Sequence, residues 1–351
     1  MTVGLVAPNN LWFCPYIDIY IKHLDAVGCK YEIIYWDRSL EDKGNTLAYS
    51  CAPTGNKINS FLYYFRFSQF AIRKIKERKY DRLIVFTPQL AIFLYRFLRK
   101  FYKKRFILDY RDLSIEQNPI FKQIFKNLLP ISYRCVISSP GFKNYLPSHE
   151  YVISHNFIKT LVDEAISVHR EKYSDKPIKI LTIGGIRDLE SNTAVLKVCG
   201  NDSSYTLSFV GRGHAQKPLQ AITQENGFTN VNFVESYKKD EEPAYYFSAS
   251  FINIFYPKVP SHITAISNRF YNSLIFRRPM IVTKGGIQAE YVEKFHVGIA
   301  VDNAEEIPIK IKEWESSVNY EEYEKNCIQL LGQFAEEYEK FEELVIKFIK
   351  P

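Results

Sequence analysis

Two short runs in the second half of the chain hold residues suited to gripping a phosphate chain. The first is Ile183-Gly184-Gly185-Ile186-Arg187-Asp188, which follows an apolar stretch beginning at Ile178. Paired glycines after a strand let a backbone approach a pyrophosphate closely, with peptide amides free to donate. Arg187 can add a fork of N–H donors to a phosphate oxygen and favour departure of a nucleotide as an anion. Its other reading is a surface ion pair with Asp188 or Glu190. The second run, Ser267-Asn268-Arg269-Phe270-Tyr271-Asn272-Ser273-Leu274, opens a predicted helix at Asn268. The first amides and the dipole of a helix favour an anion. A third run, Phe209-Val210-Gly211-Arg212-Gly213-His214, is a predicted strand entering a Gly-x-Gly turn. Its glycines serve the turn or a ligand equally well.

These residues need strands and helices to hold them. In the first half, β-branched and apolar runs at 3–6, 31–35, 82–86, 105–109, 135–138 and 151–154 predict strands. Helical spacing between them, as over 17–27 and 61–78, gives the rhythm of a parallel sheet with helices on both faces. A second series repeats it, with strands at 178–183, 205–210, 231–234, 251–255 and 280–282. Helices are predicted there over 193–199, 215–226 and 265–276, with one or two amphipathic helices over 320–350. The expected organisation is a first domain over 1–160, a polar linker over 161–176, a second domain over 177–330 and a final helix over 331–351. Open α/β sheets bind ligands at the carboxyl ends of their strands.

In order, Ile183 to Asp188, Phe209 to His214, the strand Asn230-Val231-Asn232-Phe233-Val234 and Ser267 to Leu274 resemble motifs of bacterial glycosyltransferases of retaining family four, particularly the capsule and exopolysaccharide type. Arg278-Pro279-Met280-Ile281-Val282-Thr283 continues the likeness, which runs from Ile178 to Asp302 and is loose earlier. The resemblance implies the α/β GT-B fold, two Rossmann-like domains facing each other across a cleft, with the final helix crossing back onto the first. It implies transfer of a sugar from a nucleotide diphosphate, a UDP-sugar by expectation. Donor-binding candidates are Gly184, Gly185, Arg187, Gly213, Tyr237, Asn268, Arg269 and Asn272, with Arg187 and Arg269 on the diphosphate as catalytic groups. Tyr237 falls where the family contacts the base. The family's helix carries Glu-x7-Glu, and here Thr264 and Asn272 stand at those positions. No metal is expected, because no Asp-x-Asp pattern is present, and no cofactor besides the sugar nucleotide.

On the acceptor side the resemblance points to Asn9 and Asn10, after the first strand, and to Asp112 in Asp109-Tyr110-Arg111-Asp112-Leu113. Asp112 can orient an acceptor hydroxyl or take its proton, or instead cap a helix or pair with Arg111. His155-Asn156 is expected to close the last strand of the first domain.

Charge is split unevenly. Through Ile158 there are 23 Lys and Arg against 12 Asp and Glu, while the remainder holds 23 against 27. Residues 61–105 interleave many cations with aromatic side chains, which suits an anionic bilayer surface and a lipid-linked saccharide acceptor. The six cysteines are scattered, without zinc-like spacing, and fit a reducing compartment. No signal segment or membrane-spanning run is evident, so a cytoplasmic protein, peripheral at the inner face of the plasma membrane, is expected. Nucleic acid is not an expected partner, since no RRM, KH or zinc-finger pattern is present. Two other readings remain open: a sugar-nucleotide epimerase on the same fold, and a noncatalytic membrane-associated scaffold.

Overall fold

The computed structural model describes residues 1–54, 57–170, 172 and 176–350. Of the expected linker, Glu171, Tyr173, Ser174 and Asp175 lie outside the described residues. The chain forms two compact units, Met1–Asn156 with Glu337–Pro351, and Phe157–Glu336.

In the first unit the elements run β1 (Thr2–Ala7), α1 (Ile17–Ala26), β2 (Lys30–Asp37), β3 (Ala48–Ser50), α2 (Lys57–Arg78), β4 (Arg82–Phe86), α3 (Pro88–Phe101), β5 (Phe106–Tyr110), α4 (Pro119–Leu128), β6 (Arg134–Ile137) and β7 (Tyr151–Ile153). The seven strands are all parallel, in the order β3-β2-β1-β4-β5-β6-β7. Strands covered on both faces read as continuous apolar runs, as the wholly buried β5 does. One face carries α2, α3 and α4, whose Phe67, Leu94 and Phe125 share a core with Val6, Val85 and Leu108. On α1, Tyr20 meets Phe341 edge-on at 5.2 Å, and His23 faces Glu342 at 3.5 Å. Buried His155 meets Glu337 at 2.6 Å. Burial holds the His155 pKa below the usual imidazole value, against the pull of Glu337.

The second unit runs α5 (Lys159–Ser167), β8 (Ile178–Ile183), α6 (Leu189–Cys199), β9 (Tyr205–Val210), α7 (Gln216–Glu225), β10 (Val231–Val234), α8 (Glu242–Ser248), β11 (Phe251–Ile254), α9 (Pro260–Thr264), α10 (Asn268–Ile275), β12 (Met280–Thr283), α11 (Ile287–Phe295), β13 (Gly298–Val301), α12 (Ile307–Ser317) and the first part of α13 (Tyr320–Ile349), whose residues from Glu337 onward belong to the first unit. Its six parallel strands lie in the order β10-β9-β8-β11-β12-β13. The order reverses direction between β8 and β11, a topological switch point where crevices form. Phe334 of α13 packs on Tyr271 and Tyr291 at 5.5 and 5.2 Å.

Three local expectations change. The stretch at 161–167, read as polar linker, is helical and belongs to α5. The helix expected over 265–276 begins only at Asn268, because Ser267 is extended and its Oγ accepts from the Phe270 amide, capping α10. The edge strand β3 has three residues, too few for an alternating pattern to register.

Candidate functional site

At the carboxyl end of β8 the chain turns through Gly184, whose φ of +93° favours glycine. The Gly-x-Gly turn after β9 seats directly on this loop. A Cβ on Gly211 would lie 2.2 Å from the Gly184 carbonyl oxygen, and one on Gly213 only 1.9 Å from that of Ile186. Gly213, expected at the donor, therefore serves this backbone contact. Gly184 N donates to Val210 O at 2.8 Å and Ile186 N to Arg212 O at 3.0 Å. The Gly185 amide between them has no partner among the described residues. The amide cradle expected from this loop is thus narrowed to one turn residue.

Arg269, at the second position of α10, reaches across the switch point. Its Nε donates to Ile183 O, its Nη1 to Asn253 O at 3.2 Å and its Nη2 to Gly185 O at 3.0 Å. Those carbonyls belong to the ends of β8 and β11, so one buried guanidinium ties the two strands that open the crevice. Three of the five N–H groups of a guanidinium are used in this way. The sequence reading had this side chain on a diphosphate; its first task is to hold the loops. Arg187 is different. It is exposed, makes no ion pair among the described residues, and folds over Gly185, with its Nε 3.2 Å from where a Cβ there would stand. The surface pair with Asp188 or Glu190 is not formed. Asp188 instead faces His262 at 3.7 Å.

Both arginines line a cavity of about 460 Å³ together with Gly184, Gly185, Tyr237 and Asn268. Lys239, Glu242, Tyr256 and His262 complete its charged and aromatic wall. Burial raises the Tyr237 pKa, as does the Glu242 charge, while Arg269 opposes them. The phenol therefore stays neutral near neutral pH.

Glu242 is the residue that sequence reasoning missed. It is buried at the start of α8; one carboxylate oxygen accepts from Asn272 Nδ2 at 3.1 Å and the other pairs with Lys239. Asn272 also donates to the Tyr246 hydroxyl at 3.3 Å. It stands behind the cavity wall, orienting two residues that line it. Thr264 is buried, and its hydroxyl turns back to Pro260 O at 2.7 Å. Ser261 and His262 of the same short helix face the cavity in its stead. The pairing of Asn272 with Glu242 was not predictable, since 30 residues separate the two in sequence.

In the first unit, Asn10 is buried and fully committed: Nδ2 donates to Asp37 at 2.9 Å, and Oδ1 accepts from the Arg38 and Ser39 amides. It is a fixed strut rather than an open acceptor contact. Asn9 is half-buried and accepts from the Asn10 amide at 3.0 Å. The strut presents the next turn, where Trp12 is 61% exposed and stacks on Phe13 at 3.8 Å. Asp112 is solvent-exposed just beyond β5, where local desolvation raises its carboxyl pKa and Arg111 opposes the shift. Arg111 is itself locked on Asp109, and Asp109 also accepts from the Tyr20 hydroxyl. Among the described residues no cluster of His, Cys, Asp and Glu is grouped to hold a metal ion. No helix of the described residues is long and apolar enough to cross a membrane.

No known family model matches the sequence, and no curated protein sequence does. Solved structures do match. A sucrose-phosphate synthase from Thermosynechococcus elongatus aligns at a TM-score of 0.69 and 12% identity, over 99% of this chain and 97% of that one. A lipopolysaccharide outer core galactosyltransferase in its apo form aligns at 0.69 and 12%, over 99% of each chain. The E. coli trehalose-6-phosphate structure bound with UDP-2-fluoro glucose aligns at 0.65 and 8%, over 99% of each. With two Rossmann-like units of seven and six parallel strands, and this likeness along its whole length, the chain has the GT-B fold.

Proposed function

We propose that this protein is a glycosyltransferase that takes a sugar from a nucleoside diphosphate sugar held on its second unit. The observation that carries the reading is the cavity at the β8–β11 switch point, where the unpaired Arg187 and the bridging Arg269 bracket Gly185. A diphosphate there meets one free guanidinium, the Gly185 amide and the remaining N–H groups of Arg269. Charge that builds on the departing nucleotide is stabilised by donors already in place. The wall of Glu242, supported by Asn272, supplies carboxylate oxygens for hydroxyls of the nucleotide ribose, and Tyr237 supplies a ring face for the base.

The finer reading is a UDP-sugar donor, transfer with retention of configuration, and no requirement for a metal, the positive charge coming from Arg187 and Arg269. The acceptor is a lipid-linked saccharide for surface polysaccharide, met by the first unit at the inner face of the plasma membrane. Asp112, exposed and with a raised pKa, is the group there suited to accept a hydroxyl proton. The apo-form galactosyltransferase neighbour and the neighbour bound to a UDP-sugar analogue support this choice of chemistry.

Calorimetric titration with UDP, GDP, ADP and inorganic pyrophosphate tests the reading. A nucleoside diphosphate must bind more tightly than pyrophosphate, and the bound form must melt higher than the free protein. If none of the four binds, the assignment fails. If UDP binds but no UDP-sugar is consumed with any saccharide-lipid acceptor, the scaffold reading replaces it, in keeping with the absence of a carboxylate at buried Thr264.

A further inference from the structure

The helical layer on one face of the first unit has an apolar outer surface at one end. The helices α2, α3 and α4 each follow a parallel strand, so their N-terminal turns share the carboxyl edge of the sheet. Their inner sides supply Phe67, Ala71, Leu90, Leu94, Phe125 and Leu128 to the core. On the outer sides of the N-terminal halves of α2 and α4, Phe61 is 46%, Leu62 45%, Phe65 47% and Ile120 72% exposed. They are not scattered, because the Phe61 ring touches Phe93 at 4.8 Å and Phe121 at 6.2 Å, joining all three helices. Exposed aromatic and aliphatic groups that cluster in this way mark a site of contact.

The charges around the cluster name the occupant. Residues 57–76, 88–101 and 119–128 contain no Asp or Glu at all, and carry Arg66, Arg96, Lys122 and Lys126 on exposed positions. None of these four cations has an ion-pair partner among the described residues. Apolar side chains ringed by unpaired cations fit the headgroup boundary of an anionic bilayer, where the rings and aliphatic chains insert and the cations meet lipid phosphates. A nucleic acid would use the cations and aromatic faces, but it leaves Leu62 and Ile120 without a partner. The denser cations further along the sequence, such as Lys76, Arg99 and Lys100, lie toward the other ends of their helices. Phe61 and Lys76 are separated by about 22 Å of helix at 1.5 Å per residue, so the basic aromatic segment contains two different regions.

We propose that the N-terminal halves of α2 and α4, joined through Phe93 of α3, form a membrane-docking face for anionic lipid, with Phe61, Leu62, Phe65 and Ile120 inserted and Arg66 and Lys122 on the headgroups. This deepens the proposed encounter with a lipid-linked acceptor by naming the surface that makes it. The docking face belongs to the first unit and the donor cavity to the second, so donor binding and membrane binding succeed or fail separately.

The test is co-sedimentation with vesicles of phosphatidylcholine, with and without phosphatidylglycerol, and with a single-stranded oligonucleotide as the rival ligand. Wild-type protein is expected to partition onto the phosphatidylglycerol vesicles and to be weakened by salt. The triple variant Leu62→Ser/Phe65→Ser/Ile120→Ser and the double variant Arg66→Glu/Lys122→Glu should each lower the partition coefficient by about tenfold or more. Both should retain wild-type melting temperature and UDP affinity, which reports that the chain is folded. The charge variant also keeps the question open to test if the serine variant does not fold. Wild-type protein that ignores anionic vesicles overturns the proposal, as do folded variants that bind them normally. Tight oligonucleotide binding that vesicles cannot displace assigns the face to nucleic acid instead and overturns it equally.

Discussion

Replacing Arg187 by Ala separates binding from folding at the candidate donor site. The side chain is exposed, has no ion pair among the described residues and buries nothing of its own, so its loss should change stability by no more than about 0.5 kcal/mol. Its contribution to a bound diphosphate is a charge-assisted hydrogen bond, worth about 1.5–3 kcal/mol. At 1.4 kcal/mol per decade this raises the UDP Kd by about 10- to 150-fold. Arg269→Ala makes the contrast. It strips donors from three strand-end carbonyls at once, and with partial rescue by water the cost is about 3–5 kcal/mol of folding stability. For a unit of this size that lowers Tm by on the order of 10 °C. Titration calorimetry with UDP and scanning calorimetry of the free proteins read the two quantities separately. An Arg187→Ala protein whose UDP Kd stays within about twofold of wild type would refute the reasoning, since the Arg187 guanidinium at the cavity would then touch no phosphate.

Gly213→Ala drives a methyl group into the Ile186 carbonyl and should cost roughly 2 kcal/mol or more, seen as a lower Tm together with weaker UDP binding; an unchanged Tm would show that the two loops are not locked together. Glu242→Ala removes the carboxylate that Asn272 orients, so UDP affinity should fall about tenfold while pyrophosphate affinity holds, as measured by parallel titrations. Equal losses for both ligands would place Glu242 at the phosphates rather than at the ribose. His155 has a folded-state pKa below its unfolded value, because burial disfavours the charged ring. Its contribution is therefore present above the ordinary imidazole pKa of about 6.5 and is lost as pH falls through that value toward the depressed one. His155→Gln should flatten the decline of Tm in that window, and a decline of undiminished slope counts against the assignment.

Much of the scaffold was legible because it is written locally. Six strands of the first sheet and the first five of the second follow from apolar, β-branched runs, and the glycines at Gly184 and Gly211 mark the turns that end β8 and β9. A buried parallel strand must be apolar on both faces, so its sequence carries its own signature. The site was legible only as a neighbourhood. Gly184, Gly185, Arg187, Tyr237, Asn268 and Arg269 do line one cavity, yet Gly213 and Asn272 stand behind it and Asn10 is sealed in the first unit. Nothing in the type or spacing of Asn10 reveals that Asp37 and two amides will claim all its polar atoms. Burial can turn the same asparagine from a ligand contact into a strut.

By itself, then, the chain's order of residues determined the repeated strand–helix rhythm, the close-approach glycines and the excess of cations in the first half. Periodicity and backbone preference act over a few residues and need no distant partner. Only the tertiary structure decided that Arg269 spans the ends of β8 and β11, that Glu242 reaches Asn272, and that α4 brings Ile120 and Phe121 to the face built by α2. Those choices follow from which polar and apolar groups the packed sheets bring within contact distance, and hydrogen bonds are satisfied among whatever neighbours the fold supplies.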